Sequence, residues 1–221
     1  CVDESILNKI YGNIANGAIA ADDIEKTIEK RRTLKWARRV AVYFDAAMQV
    51  ARMQRFYQEH AAGFSFARYE DLWRSYKGEM YRMDTYYRLF HTAFSARGRQ
   101  TDLRLEDGIK SAADAVEGLY KNWFLQELAT KWTDLIREDL EEEGKLSSLD
   151  QQREFYAKNV TPILANSSRA FVIISDALRY EAAVELADAL VRETKGKATI
   201  SAMAGVLPSI TKCGMAALLP N

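Results

Sequence analysis

The sequence predicts a mainly α protein, with an N-terminal helical bundle over residues 1–160 and the truncated β-α-β-α start of an α/β domain over 161–221. Three observations carry that expectation. Proline occurs only at Pro162, Pro208 and Pro220, and the long proline-free stretch before them is rich in Glu, Lys, Arg and Ala, which favours helix. Apolar residues in that stretch recur at helical spacing. After Pro162 they gather instead into short β-branched or alternating runs with a helical pattern between them.

Each element follows in order. Trp36, Val40, Phe44 and Ala47 form an apolar stripe. Tyr76, Met80, Met83, Tyr87, Phe90 and Phe94 step by 4, 3, 4, 3 and 4 and line one helix face. Leu125, Leu128, Trp132 and Leu135 form a third stripe. Breaks are expected near Gly17, near Gly63, around Ser95 to Thr101 and at Gly144 to Ser148, giving a bundle of about five or six helices. Beyond Pro162, Phe171-Val172-Ile173-Ile174 suits a strand buried on both faces. A helix over roughly 178–194 comes next, and then Ala198 to Met203, alternating like a second strand. Gly205 to Ser209 reads as a turn into an apolar helix from about Lys212 to Leu219. Parallel strands with a right-handed crossover are the natural assembly. Two strands do not make an independent sheet, so this part reads as the opening of a domain. A first residue of Cys rather than Met also suggests a piece of a longer chain.

Composition narrows the function classes. No apolar run approaches the roughly 18 residues needed to cross a bilayer, so no membrane role is expected. Two cysteines, Cys1 and Cys213, make no disulfide framework, and a cytoplasmic setting is the default. Net charge is zero but unevenly spread: residues 31–99 carry 14 Lys and Arg against 6 Asp and Glu, while residues 100–160 carry 8 against 14. Region 31–99 is therefore a candidate DNA-binding face, with arginines such as Arg52, Arg55, Arg68, Arg74, Arg82 and Arg99 interleaved with aromatic residues. The competing reading, a bundle whose core aromatics are flanked by snorkelling arginines, accounts better for the helical spacing.

In open α/β sheets ligands sit beyond the carboxyl ends of the strands. Asp176 follows the first expected strand, and Thr211 stands at the mouth of the helix after the second. Neighbouring parallel strands would bring the two together. A carboxylate and a hydroxyl at a helix N-terminus are two parts of a metal-assisted phosphoester site. Both residue types are also common helix caps, and spacing alone favours that plainer role. Ser209 is a second hydroxyl in the same turn.

The segment FVIISDALRYE (171–181), followed by SAMAGVLPSITKCGMAALLP (201–220), resembles the PglZ proteins of bacterial phage-exclusion (BREX) systems. Their catalytic domain belongs to the alkaline phosphatase superfamily. Upstream, QQREFYAKNVTPIL (151–164) and VEGLYKNWFLQELATKW (116–132) are similar to the helical region before that domain, and MYRMDTYYRLFHTAF (80–94) is so more loosely. The resemblance spans roughly residues 30–221. It implies an alkaline-phosphatase-like α/β domain in which Asp176 is a metal ligand and Thr211 the nucleophile or metal-bound hydroxyl. Arg179, in the same motif, is a candidate contact for substrate phosphate, with a surface position in the first turn of the helix the plainer reading. The implied cofactor is a divalent metal, zinc by resemblance, and the implied partners are other phage-defence proteins.

One Asp and one Thr fall short of the several-ligand pocket zinc requires. The histidines, His60 and His91, stand in the helical part without neighbouring ligand residues and read as packing residues. This chain by itself is therefore expected to be inactive, and exposed strand edges would leave it open to self-association. The rival reading is a non-catalytic scaffold or DNA-binding subunit of the same defence complex.

Overall fold

A computed structural model describes residues 2–97 and 103–220, including every side chain in those ranges except those of residues 35–37, 103 and 104. The chain divides into two compact units, Cys1–Phe66 with Ser75–Trp132, and Ala67–Arg74 with Thr133–Asn221.

The first unit is built from α1 (Val2–Ala15), α2 (Ala21–Arg32), a 3-10 turn (Lys35–Val40) and α3 (Ala41–Glu59). After α4 (Tyr69–Ser75), which lies in the second unit, come a π-helical turn (Tyr76–Met80) and α5 (Tyr81–Ala96). Next are α6 (Leu103–Glu117), a longer π-helical stretch (Gly118–Leu125) and the first part of α7 (Gln126–Glu143). α3 packs on α5 and α2, and α1 on α6. The interior is apolar and closed, with Leu7, Ile14, Tyr43, Phe44, Met53, Met80, Met83, Phe90 and Phe124 among its fully buried side chains.

Chain reversals fall where glycine allows them. α1 ends in a Schellman motif, with the Gly17 N–H donating to the Ile14 carbonyl at 3.0 Å and the Ala18 N–H to the Asn13 carbonyl at 2.8 Å. Gly17 has φ of +71°, a region that residues bearing a Cβ avoid. Where α6 crosses α1, a Cβ added to Gly108 would stand 2.7 Å from the Tyr11 Cβ. Close approach of the two helices thus requires a glycine there.

Several polar groups inside the first unit are partnered, although the buried Gln49 Oε1 has no hydrogen bond. The Tyr11 hydroxyl donates to the Tyr43 carbonyl at 2.7 Å, and burial raises its pKa well above the ordinary phenol value. Arg31 meets the buried Asp3 at 2.6 Å. Asp84 accepts hydrogen bonds from Tyr76, at 2.7 Å, and from Tyr120. His60 stacks on Phe56 with ring centroids 4.2 Å apart, and His91 Nε2 lies 3.2 Å from Glu117 Oε1.

The structure corrects two of the expected stripes. Val40, Phe44 and Ala47 are buried, but the backbone runs as a 3-10 turn up to Val40 and as α helix only from Ala41. Trp36's side chain lies outside the described residues. On α7 no residue is buried, and Leu125 is exposed. The buried face instead passes through Leu105, Ile109, Ala112, Val116, Tyr120 and Phe124. Its final steps of 4 and 4 match the wider π turn, which rotates the following helix away from the α-helical register. The break expected at Ser95 to Thr101 falls largely outside the described residues.

In the second unit, Gly144 turns the chain after α7 with φ of +67°. A 3-10 turn (Gln152–Glu154), a π turn (Tyr156–Val160) and α8 (Thr161–Ala165) follow, with Pro162 in the first turn of α8, where a missing N–H is harmless. Gln151 and Glu154 form a reciprocal capping box over the 3-10 turn. The Ser148 hydroxyl donates to the Tyr69 hydroxyl at 2.6 Å. α9 (Tyr180–Glu193) and α10 (Thr211–Ala217) stand close to where the sequence places helices.

Neither expected strand is formed among the described residues. Phe171 to Ile174 has no ladder partner, and its side chains are 87, 45, 91 and 38% exposed, not buried on both faces. That alternation has the period of two of an extended segment, but a strand exists only through a neighbour that takes up its N–H and C=O groups. Ala198 to Met203 is likewise unpaired. The pairing that does occur is one isolated parallel bridge, Gln151 to Ala204, just past that stretch. Among the described residues no helix is long and apolar enough to cross a membrane.

Candidate functional site

Asp176 lies in a turn between the extended segment and α9. Its Oδ1 accepts a hydrogen bond from the Ala177 N–H at 3.0 Å. Ala177 has φ of +55°, a conformation that costs a residue with a Cβ about 1–2 kcal/mol. The turn therefore holds a locally unfavourable backbone directly beside its carboxylate. α9 starts later, with Arg179 at its N-cap and no side-chain cap bond. Asp176 is consequently not the helix cap that its spacing suggests.

Thr211 is the first residue of α10, whose N-cap is Ile210, again without a side-chain cap bond. Neither Thr211 nor Ser209 caps that helix. The Thr211 hydroxyl instead reaches Asp176, with Oγ1 3.4 Å from both Oδ1 and Oδ2. At that length the bond is weak, and one hydroxyl proton serves one oxygen at a time. The consequence is positional, since residues 35 apart in sequence present their oxygens side by side. Both are exposed, so the pair opens to solvent.

The remaining candidates are more loosely placed. Arg179 is exposed, and its carbonyl accepts from the Ala182 and Ala183 N–H groups at 3.1 and 3.0 Å to start α9. Glu181 is 1% exposed in the first turn of α9, where the helix dipole favours a carboxylate. Cys213 is half-buried. Among the described residues no group of three or more His, Cys, Asp and Glu is placed to hold a metal ion. Asp176 and Thr211 thus fit a divalent cation as two oxygen donors and do not complete a site.

The turn before Thr211 is held from the QQREF segment. The Gln152 side chain accepts from the Val206 N–H at 3.1 Å and donates to the Gly214 carbonyl at 3.1 Å. The Gln152 N–H donates to the Ala204 carbonyl at 2.9 Å, and the Ala204 N–H to the Asp150 carbonyl at 2.7 Å. Sequence reasoning passes over Gln152 individually, because an amide in a polar segment does not name the distant backbone groups it will bond.

Most arginines of the basic region have acidic or aromatic company. Arg55 meets Asp22 and Glu25 at 2.7 Å each, and Arg97 meets Glu106 at 3.1 Å with its guanidinium 3.6 Å over the Phe94 ring. Arg68 meets Glu70 at 2.7 Å and Arg74 meets Asp71 at 2.9 Å. Arg52 lies over the Tyr86 ring. The Arg68 guanidinium holds the Glu70 carboxyl down at about 2. Arg99 lies outside the described residues.

Residues 155–221 match the family model of the BREX system PglZ alkaline phosphatase-like domain. The whole chain is 36% identical to the "Alkaline phosphatase-like protein PglZ" of Bacillus cereus (strain H3081.97), spanning 25% of that protein. It is 31% identical to the "Alkaline phosphatase-like protein BrxZ" of Escherichia coli O9:H4 (strain HS), spanning 26% of it. No solved structure matches the chain. The chain belongs to the PglZ family, and it spans about a quarter of the length of the curated relatives it matches.

Proposed function

We propose that this chain contributes Asp176 and Thr211 to the centre of a divalent-metal phosphoesterase acting in phage defence. The observation that carries the reading is the placement of the Thr211 hydroxyl at 3.4 Å from both oxygens of Asp176, with neither residue spent on a helix cap. Asp176 accepts the hydroxyl's hydrogen bond, which leaves an oxygen lone pair of Thr211 free to turn toward solvent and an incoming phosphoester. In the transfer the Thr211 oxygen bonds to phosphorus as its proton is released to solvent. The bond from phosphorus to the leaving oxygen breaks, and that oxygen takes up a proton from solvent. Water then hydrolyses the phosphothreonine to restore the hydroxyl and release the phosphoryl group.

A bound divalent ion, zinc on the family resemblance, would lower the hydroxyl's pKa and offset phosphate charge. Asp176 and Thr211 would be two of its donors. The others are not among the described residues, so this segment alone is proposed to be inactive. Arg179 is the proposed contact for a phosphate oxygen. The proposed setting is cytoplasmic, with other defence proteins as partners.

The test uses the full-length protein with p-nitrophenyl phosphate and bis(p-nitrophenyl) phosphate, with and without Zn²⁺ or Mn²⁺, comparing wild type with Asp176→Ala. Metal-dependent turnover that disappears in the variant supports the reading, and the preferred ester gives the substrate class. A folded protein inert with every metal would leave the scaffold reading. That reading draws on the closed apolar core of the first unit.

A further inference from the structure

The geometry points to Gln152 as a positioning residue for Thr211, an inference that rests on the phosphoesterase reading of the Asp176–Thr211 pair. Its carboxamide makes one hydrogen bond on each side of Thr211 in the chain, accepting from the Val206 N–H five residues before it and donating to the Gly214 carbonyl three residues after it, both at 3.1 Å. A single side chain thereby fixes the spacing between the turn that delivers Thr211 and the body of the helix that carries it. The Gln152 backbone secures the same turn through Ala204, whose N–H in turn reaches the Asp150 carbonyl. The base of this clamp is itself hydrogen-bonded. Gln151 donates to the Leu146 and Leu149 carbonyls at 2.7 and 2.8 Å, and Lys158 joins Asp150 to Glu154 at 2.8 Å each.

The clamp is needed because little else holds this helix. α10 is seven residues long, contains no buried residue and has no side-chain cap. Its Met215 is 41% exposed and only Cys213, Gly214 and Ala217 are half-buried, so packing holds it weakly. Phosphoryl transfer depends on placing the attacking oxygen, and a displacement near 1 Å can cost about 100-fold. An amide suits the task because it offers one donor and one acceptor at fixed separation. A glutamate would keep the acceptor for Val206 and lose the donor to Gly214 until it is protonated.

The test is steady-state kinetics on the full-length metal-loaded protein with p-nitrophenyl phosphate and its bis ester, for Gln152→Ala, Gln152→Glu and Thr211→Ala. Gln152→Ala is expected to lower kcat by roughly 10-fold or more with KM within about twofold, at unchanged metal content. Gln152→Glu is expected to be as slow near pH 8, with its rate relative to wild type recovering as pH falls toward the ordinary glutamate range. Wild-type kcat in Gln152→Ala would overturn the proposal, as would a Gln152→Glu defect unchanged with pH. Hydrogen exchange of residues 206–217 in the same proteins separates this inference from the reading beneath it. If wild type shows no turnover, the phosphoesterase reading fails. Faster exchange confined to those residues in Gln152→Ala would then still support the clamp, and unchanged exchange would overturn it.

Discussion

The first unit and residues 161–220 solve opposite problems. The first unit closes an apolar interior around Tyr43, Phe44, Met53, Met83, Phe90 and Phe124. Residues 161–220 bury only Glu181 and Ala204 and expose Phe171, Ile173, Leu186, Leu190, Ile210 and Leu219, yet they bring Asp176 and Thr211 together. Helices satisfy their backbone groups within themselves, so side-chain periodicity suffices to assemble them. The later segment has to fix its chemistry through turns and side-chain clamps. A core and a site are thus separable achievements in this chain.

The sharpest way to break that contrast is a matched pair of truncations in this chain. Phe124→Ala removes a fully buried ring and should cost about 3–5 kcal/mol. Phe171→Ala removes one that is 87% exposed and should change stability by less than about 0.5 kcal/mol. Urea midpoints measure both, and equal losses would erase the distinction.

A smaller effect sharpens the helical side. Gly108→Ala pushes a Cβ against Tyr11 and should destabilise by about 1–3 kcal/mol. Gly12→Ala, on the neighbouring α1, meets nothing within 4 Å and should stabilise by about 0.5–1 kcal/mol. Opposite shifts in thermal midpoint are expected.

The smallest effect is electrostatic and belongs to the second unit. Hydrogen bonding from Arg68 depresses Glu70 to about 2 in the folded protein. A depressed carboxyl contributes stability that is present above its unfolded value, near ~4.3, and is lost as pH falls through the folded value. Arg68→Ala should therefore weaken the protein slightly at pH 7, with the difference from wild type closing as pH falls from ~4.3 toward 2. Acid titration of the urea midpoint reads it, and a difference that grows toward low pH would contradict the pairing.

What the sequence reveals follows the same division. Met80, Met83 and Phe90 are legible as core because their spacing is local, and Gly17, Gly63 and Gly144 as breaks because each holds a positive φ. The π turns are not legible, since widening a turn leaves composition unchanged, and the stripe through Leu125 fails for that reason. The strand at 171–174 fails because pairing depends on distant residues that no local pattern names. The approach of Asp176 to Thr211 is anticipated from the topology of α/β sheets, although no sheet forms among the described residues to produce it. Gln152 lies in a segment that carries the family resemblance, yet its tie to the turn before Thr211 emerges only from the hydrogen bonds.

The central claim is that Thr211 acts through its hydroxyl. Its most direct test is the metal-dependent phosphoesterase activity of full-length Thr211→Ser and Thr211→Ala, with Ser209→Ala as the neighbouring control. The account predicts that serine retains activity within about tenfold, that alanine loses at least roughly 10³-fold, and that Ser209→Ala stays near wild type. Full activity in Thr211→Ala, or loss confined to Ser209→Ala, would contradict it.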